Sequence, residues 1–297
     1  MFSFRKCCIM NPEVNRMTEL TAYYKNLKRL KKQAILLYLG LIAALMVLVS
    51  LFLGAPFPHR ETVLFFTYRV NGWFFDKTWI MYLIIALSAL LTFIAEGVQS
   101  YRNVNALRAI LYRDCDSEKL LRLADEGIRY VPYEFYRSRR KAERVFRRQL
   151  CLFERFYAEA LMACGQADAA EHYLENDWKS PRNSSVYKFL SANAGSILAY
   201  QAGDVGQFKQ LSAQGGKRLQ QSVTCLARLD WLEGRSSEAM ERLKVANPRF
   251  PYEKVLFAGM LADFLNQSGR KEEAQEYEAY ALKHGGTLGV RQALLKP

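Results

Sequence analysis

ARLDWLEGRSSEAMERLKVANPRFP, residues 227–251, carries the pattern on which the fold turns. Around Gly234, Ala227 lies seven residues before, Ala239 five after and Leu243 nine after. Ala246 follows at twelve and Pro251 at seventeen. Small residues on both sides of a glycine let two antiparallel helices approach closely, and the glycine permits the tight reversal between them. Gly165 has Ala158, Ala170 and Leu174 at the first three of these offsets. Gly269 has Ala262, Ala274 and Ala281 at minus seven, plus five and plus twelve. Gly203 keeps the turn but departs around it, with Ser196, Phe208 and Ser212 at the offsets. A helix pair of this kind cannot bury its own apolar face and must stack on the next.

The four glycines stand 38, 31 and 35 residues apart. These residues resemble tetratricopeptide repeats, helix-turn-helix units of about 34 residues. The resemblance covers roughly Gln149 to His284, with an atypical pair from Asp116, and Glu278 stands where a bulky apolar residue would be usual. It implies a right-handed array of antiparallel pairs whose concave surface binds peptides or partner proteins. No binding residue of the family transfers, because the concave positions vary between its members. The same alanines and leucines at helical spacing also fit the core of a plain helical bundle.

Ahead of this domain lie two apolar runs. Ala34 to Gly54, AILLYLGLIAALMVLVSLFLG, holds no charge, no proline and one serine. Trp79 to Ala95, WIMYLIIALSALLTFIA, is shorter, at the low end of the length that crosses a bilayer. Together they predict a transmembrane hairpin. The organisation expected is a basic amphipathic segment over 1–33, a first span over 34–54 and an external aromatic-rich loop over 55–78. A second span over 79–96, a basic juxtamembrane segment over 97–148 and a repeat domain over 149–297 complete it. In the loop, TVLFFTYRV before Asn71-Gly72 fits a β-hairpin, while Trp73, Phe74, Phe75 and Trp79 fit an interfacial aromatic belt.

Charge sets the orientation. Residues 1–33 carry eight basic and two acidic side chains, and residues 97–150 carry thirteen and seven. Residues 151–297 carry eighteen and seventeen, so the basic charge lies beside the apolar runs. Such flanks mark the cytoplasmic side and put both termini there. A nucleic-acid-binding module would instead carry its basic surface on the folded domain itself. A bacterial plasma-membrane location is expected, with the first run retained as an anchor rather than cleaved as a signal. The mean hydropathy of −0.13 shows that most of the chain is built for water. Arg137, Arg140, Lys141, Arg144, Arg147 and Arg148 form a stripe over Tyr136–Phe156, read as one long helix. Near a membrane that stripe suits anionic lipid or an acidic partner, and elsewhere it suits solvent. Pro132 is expected to end the helix before it.

No catalytic constellation stands out. His59, His172 and His284 are far apart, and no HExxH, GxSxG or phosphate-loop signature occurs. The six cysteines form no CxxC, and their cytoplasmic placement predicts free thiols. The fold class expected is therefore all-α, a transmembrane hairpin followed by a solenoid of antiparallel helix pairs. The function expected is a non-enzymatic, membrane-anchored scaffold that binds protein partners through its repeats, with no cofactor, metal, nucleic acid or small-molecule substrate. The alternative is a non-catalytic subunit of a membrane transport, secretion or envelope-assembly complex, its spans packing on partner helices through Gly40, Ala43, Ala44, Ala86, Ser88 and Ala89.

Overall fold

The computed structural model describes residues 36, 38–44, 78–137 and 143–295, of which 78–84, 96, 99, 100, 103, 130–137 and 143–148 are described by backbone alone. Among these residues every regular element is a helix and none is a strand, so the protein is an all-α helical-repeat chain. The chain divides into two compact units, residues 1–104 and 105–297.

In the first unit, residues 38–44 are helical, and the rest of the first apolar run lies almost wholly outside the described residues, as does the external loop. Helix α1, Thr78–Tyr112, contains the second run and continues through Glu96 and Gly97 without a break. Among the described residues no helix is long and apolar enough to cross a membrane. The apolar part of α1 is nevertheless uncovered: Phe93 is 75% exposed, and Ile85, Leu87, Leu90, Leu91, Ile94 and Val98 are exposed beside it. Among the described side chains of this apolar stretch, the one that is buried is small and polar. Ser88 is fully buried, and Thr92 Oγ1 donates to the Ser88 carbonyl at 2.8 Å.

The second unit begins in the last turns of α1. It continues with α2, Ser117–Arg137, α3, Glu143–Ala163, and α4, Ala167–His172, which a π turn extends over Tyr173–Asp177. Next come α5, Ser185–Gln201, α6, Val205–Gln214, the short α7, Lys217–Gln220, and α8, Val223–Leu232. The series ends with α9, Ser236–Val245, α10, Pro251–Gln267, α11, Lys271–His284, and α12, Gly289–Leu294. Helix α2 packs on α3, α5 on α6, α8 on α9, and α10 on α11, with α3, α6 and α9 linking each pair to its neighbour.

Four turns in this series are copies of one geometry. Gly165, Gly203, Gly234 and Gly269 have φ of 77°, 73°, 80° and 76°, in the left-handed region that only glycine enters freely. In each, the glycine N–H donates to the carbonyl three residues back: Met162, Tyr200, Trp231 and Asn266. The next N–H donates five residues back, to Leu161, Ala199, Asp230 and Leu265, at 2.8–3.0 Å. This is the Schellman termination, which satisfies two carbonyls left open at a helix end. The following helix starts at once, and several helix starts are capped by hydroxyls and acids. Ser184 accepts from Tyr187 N–H at 3.2 Å and Asp204 from Gln207 N–H at 2.9 Å. At α10, Pro251 opens the helix while Glu253 accepts from the Arg249 N–H at 2.7 Å.

Two local expectations are corrected. Helix α2 runs through Pro132 to Arg137 rather than ending at the proline. A proline there removes one backbone hydrogen bond but not the long packing of α2 on α3, which holds the helix together. Consequently Tyr136–Phe156 is not one helix: its first residues end α2, and the rest opens α3 from Glu143.

The array closes on itself. Thr287 N–H donates to the Cys115 carbonyl at 3.1 Å, and Ser117 Oγ donates to the Thr287 carbonyl at 2.9 Å. Thr287 Oγ1 accepts from the Glu118 N–H at 3.1 Å and donates to Asp116 Oδ1 at 3.0 Å. Gln292 Nε2 adds a bond to Glu118 at 3.2 Å. The last helix is thereby tied to the first turn of α2. Cys115 has φ 54°, the one non-glycine residue in the left-handed region among those described, and its carbonyl is the acceptor at this seam.

Candidate functional site

The alanines picked out by spacing are packing residues. Ala158, Ala170, Ala227, Ala239, Ala262, Ala274 and Ala281 are all fully buried. They sit where helices approach most closely, and the core grows around them. Ala227, Ala239 and Ala274 share a cluster with Leu243, Leu261, Phe264 and Leu265, and Trp231 stacks on Phe264 at 4.2 Å. Ala246 is the exception, half-buried at the C-cap of α9, where the backbone has already turned extended. The irregular unit around Gly203 keeps the scheme with other side chains. Phe208 is fully buried, and Ser196 and Ser212 are nearly so, their hydroxyls bonded back to the Asn193 and Phe208 carbonyls.

Of the basic stripe, Arg137 lies at the end of α2, and Arg144, Arg147 and Arg148 lie in α3. Their side chains, and all of Arg140 and Lys141, lie outside the described residues. The free-thiol expectation is met at Cys115, Cys151, Cys164 and Cys225, while Cys7 and Cys8 lie outside the described residues. Burial raises all four described thiols above their ordinary value, which keeps them protonated and unreactive.

A cluster that the spacing did not announce gathers residues from five helices of the second unit. Tyr112, at the end of α1, meets Phe250 and Tyr252 at the start of α10, with ring centroids 5.5 Å apart in both contacts. Arg155 of α3 donates to Glu159 one turn on at 2.7 Å, and both lie within electrostatic reach of Tyr112. On the far side of Tyr252 stands Arg228 of α8, its guanidinium over the Tyr200 ring of α5 at 5.5 Å. Proximity of the helices decides this grouping, since Tyr112 and Tyr252 belong to the two ends of the array.

The electrostatics of the cluster are unusual for a helical core. Desolvation pushes the Tyr112 phenol up to about 12, Glu159 adding to it while Arg155, Arg108 and Arg218 oppose. The Tyr200 phenol is likewise pushed to about 12 by desolvation, with Asp263 adding and Arg228 opposing. Tyr252 is raised still further by desolvation and by the neighbouring Tyr112. Three phenols thus stay protonated and able to donate. Arg228 is surrounded by protein densely enough that desolvation lowers its guanidinium, yet part of its surface remains open to solvent.

Chemically the cluster offers a cation, hydrogen-bond donors and aromatic walls. Its carboxylate at the α1 end, Glu159, is already engaged by Arg155. It suits the holding of an anionic, partly apolar ligand. The sequence carried one signal for it: Arg228 and Asp230 are the only charged residues of the apolar helix VTCLARLDWL. Asp230 is explained by its bonds to Arg235 and Arg242 on the adjoining turn, which leaves Arg228 unexplained. Compared with known proteins, the chain matches no protein-family model, no curated protein and no solved structure.

Proposed function

We propose that the protein is a membrane-anchored interaction scaffold, in which a tetratricopeptide-like helical array is held at the cytoplasmic face of a plasma membrane by an N-terminal hydrophobic hairpin. The observation that carries the reading is the apolar surface of α1. Ile85, Leu87, Leu90, Leu91, Phe93, Ile94 and Val98 are exposed over most of its circumference, an area that water would not tolerate uncovered. Lipid covers such a surface without a specific partner. The 21-residue uncharged run ahead of it and the basic flanks on either side support the same arrangement. Beyond the anchor, repeated helix pairs with identical turns provide a rigid surface for a partner protein.

The test is extraction of native membranes at alkaline pH followed by crosslinking. A membrane-anchored scaffold stays in the pellet and yields a defined crosslinked partner, and a form lacking residues 1–96 still captures that partner from solution. Release at alkaline pH would remove the anchor from the reading. Loss of the partner on truncation would favour the complex-subunit alternative. Cysteines placed at Pro58 or Asn71 supply orientation: they should react with impermeant maleimide from outside sealed cells, whereas a cysteine placed at the exposed Ser237 should react only after the cells are opened.

A further inference from the structure

We infer that Arg228, with Tyr200 and Tyr252 beside it and Tyr112 against Tyr252, forms a receptor for an acidic peptide segment of a partner protein, a site that rests on reading the array as a protein-binding module. The half-buried Arg155 pairs with Glu159 at 2.7 Å and the half-buried Arg291 donates to the Gly286 carbonyl at 2.6 Å, while the exposed Arg242 and Arg270 pair with Asp230 and Glu273. Among the described residues Arg228 has no carboxylate and no hydrogen-bond acceptor, only the face of Tyr200. A desolvated cation with no counter-ion is a cost to the fold, and an incoming anion would relieve it.

The surroundings fit that anion. The hydroxyls of Tyr200 and Tyr252, beside the guanidinium, and of Tyr112, against Tyr252, make no hydrogen bond to any described residue, so these donors lie open along the row of rings. Two further cations, Arg108 and Arg218, act on Tyr112, and Arg218 lies over the Phe189 ring at 5.3 Å. Against them stand Glu159, held by Arg155, and Asp263 beside Tyr200, so the cluster keeps positive charge in surplus.

A guanidinium fork matches the two oxygens of a carboxylate, and the rings supply flat apolar walls for the rest of a peptide. The cations do not converge on one ring: Arg228 acts on Tyr200 and Tyr252, whereas Arg108 and Arg218 act on Tyr112. That spacing suits single carboxylates distributed along an extended chain better than one phosphate dianion.

The probe is fluorescein-labelled hexaglutamate, measured by anisotropy with the full-length protein in mild detergent at low salt. Hexaglutamine, inorganic phosphate and vesicles containing anionic lipid serve as comparisons. Hexaglutamate should bind and hexaglutamine should not. Arg228→Gln should weaken binding at least tenfold and Tyr252→Phe several-fold, while Lys283→Gln, on the exposed end of α11, changes nothing. Arg228→Lys replaces glutamine if that variant unfolds, and should weaken binding because the fork is lost. Equal binding of the two peptides, or unchanged binding by a folded Arg228 variant, overturns the site. Arg228-dependent binding of phosphate or vesicles without binding of hexaglutamate overturns the peptide assignment. None of these failures touches the alkaline-extraction and crosslinking results on which the scaffold reading stands or falls.

Discussion

Gly165 and Gly289 lie backbone against backbone: a Cβ at Gly289 would stand 2.4 Å from the Gly165 nitrogen and 2.5 Å from the Cys164 carbonyl carbon. One is the turn of the first glycine-linked pair, the other the first residue of the last helix. Their contact is where the array closes. Gly286 does the same nearby, since a Cβ there would stand 2.4 Å from the Cys115 carbonyl oxygen.

Closure at this point makes Gly289→Ala a sharp test. The added methyl meets backbone that has no room to move, so the substitution should cost about 1–3 kcal/mol. Gly206→Ala, inside α6 with only Asp204 Oδ1 nearby at 3.4 Å, should be neutral or stabilise by about 0.5–1 kcal/mol. Chemical denaturation of the protein in mild detergent measures both. Similar effects at the two sites would mean the seam contributes nothing to stability.

The packing alanines give a second test. Ala239 and Ala274 are fully buried at the helix contacts, and Ser237 is exposed on the same helix as Ala239. Leucine at either alanine should cost about 1–3 kcal/mol through overpacking. Leucine at Ser237 should leave the denaturation midpoint nearly unchanged.

Two acids should give the stability profile opposite slopes with pH. Burial alone would raise Asp230, but hydrogen bonds and charge from Arg235 and Arg242 outweigh it and hold the carboxyl below its ordinary value. Its stabilising contribution is therefore complete above the unfolded value of about 3.9 and is lost as pH falls through the lower folded value. Glu154 behaves conversely, because desolvation outweighs its bonds from Ser180 and Lys179 and raises it. Above the unfolded value of about 4.3 its contribution declines as pH rises through the folded value. Asp230→Asn should flatten the acid limb of a denaturation series taken from about pH 3 to 7. Glu154→Gln should flatten the rise-side decline.

Glu154 also holds a loop. It is fully buried, and its carboxylate accepts from the Lys179 N–H at 2.6 Å and the Ser180 N–H at 3.1 Å, fixing the chain between the π turn and α5. Glu154→Ala leaves two donors unsatisfied and should cost roughly 2–4 kcal/mol. Glutamine retains one acceptor and should cost about half as much, seen as a smaller fall in the unfolding midpoint.

Arg228 should show the reverse of ordinary core behaviour. Methionine has similar length and needs no counter-ion, so Arg228→Met should be neutral or stabilise by about 1 kcal/mol. A marked loss of stability would show that the guanidinium supports the fold.

The sequence by itself determined the helical pairs. Glycine at Gly165, Gly203, Gly234 and Gly269 leaves little choice of turn, because the left-handed backbone that ends each helix excludes side chains. Alanine at fixed offsets then dictates how closely the paired helices approach. These are local rules, readable within one unit. It also marked the apolar runs and their basic flanks, which depend on composition over some twenty residues. Proline at Pro132 misled the same local reasoning, since packing of α2 along α3 carries the helix past it. Only the tertiary structure decided that the ends of the array meet. Cys115, Ser117 and Thr287 are unremarkable residues until closure brings their backbones within hydrogen-bond range. The tyrosine-arginine cluster follows from the same event. Tyr112 and Tyr252 come from opposite ends of the array, and Arg228 and Tyr200 from different pairs. Their grouping depends on summed rotations between successive pairs, a quantity that no local spacing encodes.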